Sequence, residues 1–338
     1  MTRTIGRTAG LLLAVLGLQL GFVLSYVGAF HAPAPDRVSV EVVAPAAVAQ
    51  QLDALPGAPL AATAADEAGA RADLAADRTS GVLLVDPAGT RDTLLVAGAG
   101  GGSLSSAAES VVTQAEAARG RTVSVQDVVP VQSGDARGLS GFYLVTGWIV
   151  GGYLLAALLG LTGAKRPGLR TIVGRLGVAL GFSVLGGLGG ALVAGPVLGA
   201  LTGHVVGLWA LGTALTFAAA AVTVALSALL GVVGIGVTIL LFVVLGNPSA
   251  GGAYQAGVLP PFWSGLGGWL PNGAGVDALR RIVYFDATGL GSPLLVIAAW
   301  IAGGVVVALA GTWLRTRRTT HGRHEAPTHP RESALSGA

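Results

Sequence analysis

The sequence predicts an α-helical polytopic membrane protein, with six transmembrane helices and an α+β ferredoxin-like extracytoplasmic domain between helices 1 and 2. Of the 338 residues, 52% are hydrophobic and only 11% are charged, and the mean hydropathy is +0.72. A soluble domain is usually about 25% charged. The charges are also segregated, because residues 31–140 hold 13 of the 17 acidic residues. Four stretches contain no Asp, Glu, Lys or Arg, namely 8–35, 138–164, 176–276 and 287–314.

Each uncharged stretch is long enough for at least one membrane helix. A helix needs about 20 apolar residues to cross the hydrocarbon core, where its backbone finds no partner outside the helix. The predicted spans are Thr8–Phe30, 141–161, three within 176–276, and 293–314. The apolar run 205–246 would form a helix of about 63 Å, twice the thickness of the bilayer core. A hairpin is therefore expected near 230–236.

Three clusters of basic residues predict the orientation, because such residues concentrate on the cytoplasmic side. An even number of spans separates the clusters, so the N-terminus, the loop 165–175 and a disordered tail at 315–338 are predicted to be cytoplasmic. Residues 31–140 and 247–292 are then outside, and the Arg-rich, Lys-poor composition favours a bacterial cell membrane. The clusters are Arg3 and Arg7, then Lys165, Arg166, Arg170 and Arg175, and finally Arg315, Arg317 and Arg318.

The first helix, predicted within residues 1–30, has a second interpretation as a cleaved signal peptide. Basic residues precede a Leu-rich run, and small residues follow it at 32–34. The apolar core of a signal peptide is about 7–15 residues long, and the run here is longer. A retained helix is favoured, and cleavage stays the alternative.

The domain at 31–140 is predicted to have the β-α-β-β-α-β order of ferredoxin-like domains. In that arrangement the first and last strands are neighbours, which would bring the two ends of the domain together. The expected elements are strands at 38–43, 81–86, 93–97 and 122–128, and helices at 66–78 and 103–119.

No catalytic, cofactor-binding or metal-binding pattern is recognisable, so an enzyme is not expected, and neither is a nucleic-acid binder. The chain has no Cys, which excludes thiolate sites. The Gly-rich segment 98–103 lacks the Lys-Ser/Thr of a phosphate loop and favours a flexible turn. His31 is the only His of the outside domain, and His204 is expected to cap a helix or lie at the interface. The absence of charge in spans two to five argues against a proton- or sodium-driven carrier.

Span three contains glycines at a spacing of four residues. Small residues at this spacing let helices approach closely in lipid. Ordinary helix packing is favoured over a helix that slides during transport. The candidate packing residues are Gly177, Gly181, Gly186 and Gly190.

The segment 247–292 is too interrupted by Pro and Gly to cross the membrane. It is predicted to be either a re-entrant segment or an outside loop with a surface helix. Its aromatic residues suit a membrane interface, and a short helix at 276–285 would set Asp277 and Arg281 at i,i+4 spacing. The candidate re-entrant residues are Pro260, Pro261, Trp263, Trp269, Pro271, Asp277, Arg280 and Arg281.

The sequence resembles the YhgE/Pip-like branch of the ABC-2-type transporter permeases over nearly its whole length. The stretches that carry the resemblance are RADLAADRTSGVLLV at 71–85, TLLVAGAGG at 93–101, DVVP at 127–130, GDARGLSGFYLVTGWIVGGY at 134–153, and residues 247–252 and 259–285. The resemblance implies six spans, a cytosolic loop after span two that couples to an ATPase, and short re-entrant helices before span six. Residues 165–175 and 259–285 fall at those positions. The interface helix that such permeases carry before span one is not expected here, because the first span follows Arg7 at once.

The resemblance implies the permease subunit of an exporter that moves a hydrophobic or amphipathic substrate outward. Its expected partners are membrane lipids, a separate ABC ATPase and a second subunit in a homodimer or heterodimer, and no cofactor is expected. The alternative is a non-transporting membrane scaffold or receptor of a secretion or envelope assembly. The candidate ATPase-coupling residues are Lys165, Arg166, Arg170 and Arg175.

Overall fold

The computed structural model describes residues 2–162 and 167–321, and most of these residues are helical. Six helices are long and apolar enough to cross a membrane, which confirms the predicted number. We call them candidate spans one to six: Thr8–Phe30, Ser140–Leu161, Leu169–Val197, Val205–Leu230, Val232–Ser249 and Gly291–Arg315.

The helices and strands alternate in the first part of the chain and give way to helices alone after residue 140. In chain order they are α1 Thr2–Phe30, β1 Val38–Val43, α2 Ala46–Asp53, β2 Leu60–Ala64, α3 Glu67–Ala75, β3 Gly81–Leu84, β4 Arg91–Val96, α4 Gly102–Ala117, β5 Thr122–Asp127, α5 Ser140–Leu161, α6 Leu169–Leu192, α7 Val205–Leu230, α8 Val232–Ile239, α9 Gly246–Ser249, α10 Pro261–Gly267, α11 Pro271–Tyr284 and α12 Gly291–His321. A π-helical turn at Val193–Val197 extends α6, and another at Leu240–Leu245 joins α8 to α9.

Spans four and five are separated by a sharp turn at Gly231, inside the region where the length of the apolar run predicts a hairpin. Gly231 has a φ of 63°, which glycine adopts without steric cost. Three residues later, Gly234 lies against the backbone of Leu226. The predicted break in this run is confirmed.

The five strands form one sheet in the order β2-β1-β3-β4-β5, and we call residues 38–127 the sheet domain. Strands β3 and β4 are antiparallel, and all other neighbours are parallel. The predicted ferredoxin-like pairing of the first strand with the last is wrong. Strand β1 lies between β2 and β3, whereas β5 pairs with β4 at the edge of the sheet.

The cause of this difference is an additional helix and strand, α2 and β2, which the sequence did not reveal. Strand β2 pairs in parallel with β1, with Leu60 opposite Val38. Since β3 occupies the other edge of β1, no edge of the first strand remains for β5. The segment is rich in Ala and Pro, so it carries little of the alternation that marks a strand.

Both faces of the sheet are covered. One face packs on α2 and α4, and its core includes Val40, Leu83 and Leu94. The opposite face carries Val82 and Leu95, and it packs on α3 and on Phe285, a buried residue from outside the domain that follows α11.

Helix α7 is the centre of the helix bundle. Trp148 of α5 packs between α6 and α7, where a Cβ at Gly190 or Gly212 would overlap the indole ring. The indole Nε1 also donates a hydrogen bond to the carbonyl of Gly186, at 3.2 Å. The lack of side chains at Gly190 and Gly212 therefore allows three helices to meet at one Trp.

The four glycines singled out in span three have different surroundings in the described structure. A Cβ at Gly177 or Gly181 would have no other atom within 4 Å, and one at Gly186 would meet only Phe182 of its own helix, at 3.8 Å. Gly190 faces Trp148, as described above. The other close contact of α6 is made by Gly187, which lies against the backbone of Thr213.

Two neighbouring glycines of α6 provide a matched test of this packing. We expect Gly190→Ala to destabilise the protein by about 1–3 kcal/mol, because the methyl group must displace a packed Trp. Gly189 has no atom within 4 Å of a Cβ position, so Gly189→Ala should be neutral or stabilising by up to about 1 kcal/mol through helix propensity. Thermal unfolding of the purified protein in detergent, followed by Trp fluorescence, measures both. Equal unfolding temperatures for the two variants would contradict the packing around Trp148.

Candidate functional site

Helix α11 connects the helix bundle to the sheet domain, and the candidate site is built around it. Pro271 occupies the first position of the helix, where its fixed φ suits a helix start. The apolar face of α11 is buried, with Val276 and Leu279 each 1% exposed. Leu279 occupies space that a side chain at Gly141 of α5 would fill. The short helix expected at 276–285 therefore exists, begins earlier, and lies inside the bundle.

Phe285 carries the contact across to the sheet domain. It is 2% exposed and packs with Ala70, Leu74 and Val82 in the core of that domain. A Cβ at Gly100 would lie 3.6 Å from its ring, an ordinary contact distance, but only 2.5 Å from Oδ1 of Asp77, so this glycine makes room for the Asp77 carboxylate beside the ring. An apolar side chain at the end of α11 is thus part of the core of a separate domain.

Ionic contacts lie beside Phe285. Arg281 binds Asp277 one turn earlier in α11, Nε to Oδ1 at 2.8 Å, and its Nη2 lies 3.8 Å from Oδ2 of Asp77 in the sheet domain. The predicted i,i+4 pair of Asp277 and Arg281 is therefore formed. Burial raises the pKa of Asp77 from 3.8 to about 6, and the positive charge of Arg281 offsets only part of this rise.

A second polar contact joins α11 to the linker between the sheet domain and α5. The Tyr284 hydroxyl donates to Oδ2 of Asp135 at 2.7 Å, and Oδ1 of the same carboxylate accepts from the backbone N–H of Ser140 at 2.8 Å. Asp135 is 1% exposed and caps the start of α5. Burial, together with the bond to Asp135, raises the pKa of Tyr284 above its usual value, so the hydroxyl remains a donor.

Gln255 makes the third contact, at the N-terminus of α4. Its Oε1 accepts hydrogen bonds from the backbone N–H of Ser103 at 3.1 Å and from the Ser103 hydroxyl. Its Nε2 donates to the carbonyls of Gly251 and Gly252. The Gln255 amide lies over Gly101 and caps the start of α4. The side chain of Gln255 therefore occupies the place where a phosphate loop would hold its ligand, and the Gly-rich segment 98–103 makes room for it.

Two cavities flank these contacts. One, of about 300 Å³, lies between the loop before α10, α10 and α11 and the start of α12, and it is lined by both charged and small residues. Arg280 lines it and donates from Nη2 to the carbonyl of Gly251 at 2.7 Å. The polar residues of its lining are Ser249, Gln255, Ser264, Asp277, Arg280 and Ser292. The second, of about 720 Å³, lies between the start of α4 and residues 252–258, with Arg137 on its wall.

The other candidate residues of the segment 247–292 lie near the starts of helices α10 and α11. Trp263 of α10 is 9% exposed and packs with Ala29 of α1 and Leu259. Trp269 is 75% exposed, and its carbonyl accepts from Nε1 of Trp300 at 2.8 Å. The prolines Pro260 and Pro261 stand at the start of α10, as Pro271 does for α11.

The start of α6, which follows the basic loop after span two, lies at the opposite end of the bundle from α11. Lys165 and Arg166 lie outside the described residues. Arg170 is exposed at the start of α6, whereas Arg175, five residues later, is 8% exposed. The other end of span three adjoins the sheet-domain linker, where the backbone N–H of Thr202 donates to Oε1 of Gln132 at 2.8 Å.

Among the described residues, no group of three His, Asp or Glu side chains could hold a metal ion. His204 stands at the N-cap position of α7, but its Nδ1 bonds the carbonyl of Thr202 at 3.1 Å instead of capping the helix. His31 contacts the carbonyl of Val27 through Nδ1.

Phe285→Ala is expected to loosen the sheet domain from α11, because emptying a buried aromatic site costs about 3–5 kcal/mol. Hydrogen–deuterium exchange should speed up at Val82 and Leu95, which belong to the same apolar cluster as the ring. Phe262→Ala is the matched control, since Phe262 is 63% exposed and its loss should leave those amides unchanged. Parental exchange rates in Phe285→Ala would contradict the role of this residue.

The contact of Asp77 should make stability depend on pH. Its folded-state pKa of about 6 exceeds the ordinary 3.8, so at pH 5 the folded form holds a proton that the unfolded form has largely lost. Lowering the pH from 7 to 5 should therefore stabilise the folded state at this site, by about 1 kcal/mol. The pH dependence of the unfolding temperature measures this gain.

Asp77→Asn should reduce this gain on acidification, because the amide does not titrate. Glu109→Gln is the control, since Glu109 is an exposed residue of α4, and it should retain the parental profile. An unchanged profile in Asp77→Asn would show that Asp77 does not titrate in this range.

Comparison of the chain with family models, with curated proteins and with solved structures gives no match in any of the three. The resemblance to YhgE/Pip-like permeases therefore stays a prediction, carried by the segments quoted for it.

Proposed function

We propose that the chain is the permease subunit of an ABC-2-type exporter of the YhgE/Pip-like branch. It moves a hydrophobic or amphipathic substrate outward across a bacterial cell membrane, and a separate ATPase supplies the energy. The N-terminus, the loop 165–175 and the C-terminal tail are cytoplasmic, and the sheet domain is outside. A second copy or a related subunit completes the pathway.

The observation that carries this proposal is helix α11. Its 14 residues reach about 21 Å, less than the roughly 30 Å of the bilayer core. It nevertheless lies buried among spans two and four, directly before span six, as a re-entrant helix of an ABC-2 permease would. Because Phe285, directly after α11, packs in the core of the sheet domain, movement of the spans would be transmitted to that domain.

The cavity beside α11 supports an amphipathic substrate. Asp277 and Arg280 give its wall one charge of each sign, and Leu104 and Val296 give it apolar surface. A further groove of about 350 Å³, between α7 and α12, is lined almost entirely by apolar residues such as Leu226 and Val307. Polar and apolar parts of one substrate would each find a matching surface.

Coupling to an ATPase is tested at Arg170, which is exposed at the start of α6. The tagged full-length chain is purified from its native membranes in mild detergent. Its ATPase should copurify with it, so the preparation should show vanadate-sensitive ATP hydrolysis. Arg170→Glu should lower the hydrolysis recovered per mole of chain at least tenfold, because an acidic side chain would repel carboxylates on the ATPase. Arg91→Glu, a charge reversal at an exposed position of the sheet domain, should have no effect.

Orientation is controlled in the same preparations by single cysteines, since the chain has none of its own. A cysteine at Ala118 should react with an impermeant maleimide in intact cells, and one at Gly168 only after lysis. Absence of ATP hydrolysis from the correctly oriented parent, or equal recovery with Arg170→Glu, would contradict the exporter and favour the scaffold or receptor.

A further inference from the structure

Arg175 is a buried cation in the second turn of α6. It is 8% exposed, and residues 176–197, which follow it in the same span, are apolar or small. A Cβ at Gly187 would meet the backbone of Thr213, and one at Gly195 would lie 3.6 Å from Val205, so α6 with its π-helical extension runs antiparallel to α7. This register sets Arg175 beside the last two turns of α7, at the end of the bundle away from the sheet domain.

One nitrogen of the Arg175 guanidinium finds no hydrogen-bond acceptor in the described part of the chain. Its Nη2 is buried and has no hydrogen-bond partner among the described residues. An arginine side chain carries five N–H donors and stays charged in proteins. A buried charge without a partner is strongly destabilising. We therefore expect an anion from outside the described residues to bind this group.

Residues 167–276 and 287–321 supply no such anion. All acidic residues of the described chain lie within 36–135 or at Asp277 and Asp286. These positions belong to the sheet domain, to the segments on either side of it, to α11 and to the turn after α11. The helical rise sets Arg175 about 26 Å from Leu192 at the other end of α6. The neighbouring charges are positive as well, since Arg315 donates to the carbonyl of Ala228 at the end of α7.

We propose that Arg175 binds the phosphate of an anionic phospholipid headgroup. The planar guanidinium matches phosphate oxygens in two places. The last turns of α7 end at Leu230, so Arg175 lies near the depth of the headgroups, within reach of a phosphate. Arg170 and Arg315 add positive charge at this end, which favours a headgroup of net negative charge over phosphatidylcholine, whose choline would meet like charges.

The test compares the unfolding temperature of the full-length purified chain in detergent with added phosphatidylglycerol, phosphatidylcholine or millimolar inorganic phosphate. The parent should be stabilised more by phosphatidylglycerol than by phosphatidylcholine. Arg175→Met should lose this difference, and with phosphatidylcholine alone it should be at least as stable as the parent, because an unpaired buried charge has been removed. Arg91→Met, a change at an exposed position of the sheet domain, should keep the whole difference.

Arg175→Lys gives a second readout if the Met variant does not fold. It keeps the charge and loses the planar fork, so it should retain only part of the phosphatidylglycerol effect. The proposal is overturned by an equal response of the parent to both lipids, by a full parental response in Arg175→Met or Arg175→Lys, or by inorganic phosphate reproducing the whole effect. The first of these results would point to a carboxylate of a protein partner, and the last to a soluble anion.

Discussion

The insertion of Phe285 into the sheet domain is the contact on which the arrangement of the whole chain depends. The residue follows directly after α11, whose apolar face is buried among the spans, so one rigid helix belongs to two cores at once. Polar pairs surround this apolar contact, with Asp77 and Arg281 on one side and Asp135 and Tyr284 on the other. An apolar centre with a polar rim is the usual anatomy of a specific protein interface. The sheet domain is therefore docked on the bundle by more than its two covalent connections.

Close backbone approach in the bundle is the second constraint, and it explains where much of the glycine is used. A Cβ at Gly152 of α5 would overlap the carbonyl of Thr216, and one at Gly304 of α12 would overlap the backbone at Ala221. Both partners belong to α7, which is thus contacted at backbone distance from two sides. In lipid the hydrophobic effect does not drive helices together, so packing of this kind must supply the association energy. Glycines without such contacts, such as Gly177, show that spacing along the sequence does not by itself identify the packed face.

What could be predicted from the sequence is what depends on local composition. The spans follow because lipid leaves an uncharged run of this length no other structure, and the Asp277–Arg281 pair follows from helical spacing. The order of the strands is not a local property, and the Ala-rich strand β2 gives almost no pattern of its own. Gln255 and Ser103 are 152 residues apart in the chain, so the local sequence around either residue does not predict their contact. The Gly-rich segment was recognisable as unusual, but its use in packing became clear only with Gln255 and Phe285 in place.

The start of α11 extends this connection into span five. The Asn272 side chain is 1% exposed, and its Nδ2 donates to the carbonyl of Phe242 at 3.0 Å and to Oδ1 of Asn247 at 2.8 Å. Phe242 lies in the π-helical segment of that span, and such segments leave backbone carbonyls without their usual partners. Asn272 supplies a donor at this point, where apolar surroundings make an unpaired carbonyl costly. Helix α11 is therefore bonded to span five at its beginning, packed on span two through Leu279, and inserted in the sheet domain at its end. One helix, with no loop between the two contacts, therefore links span five to the sheet domain.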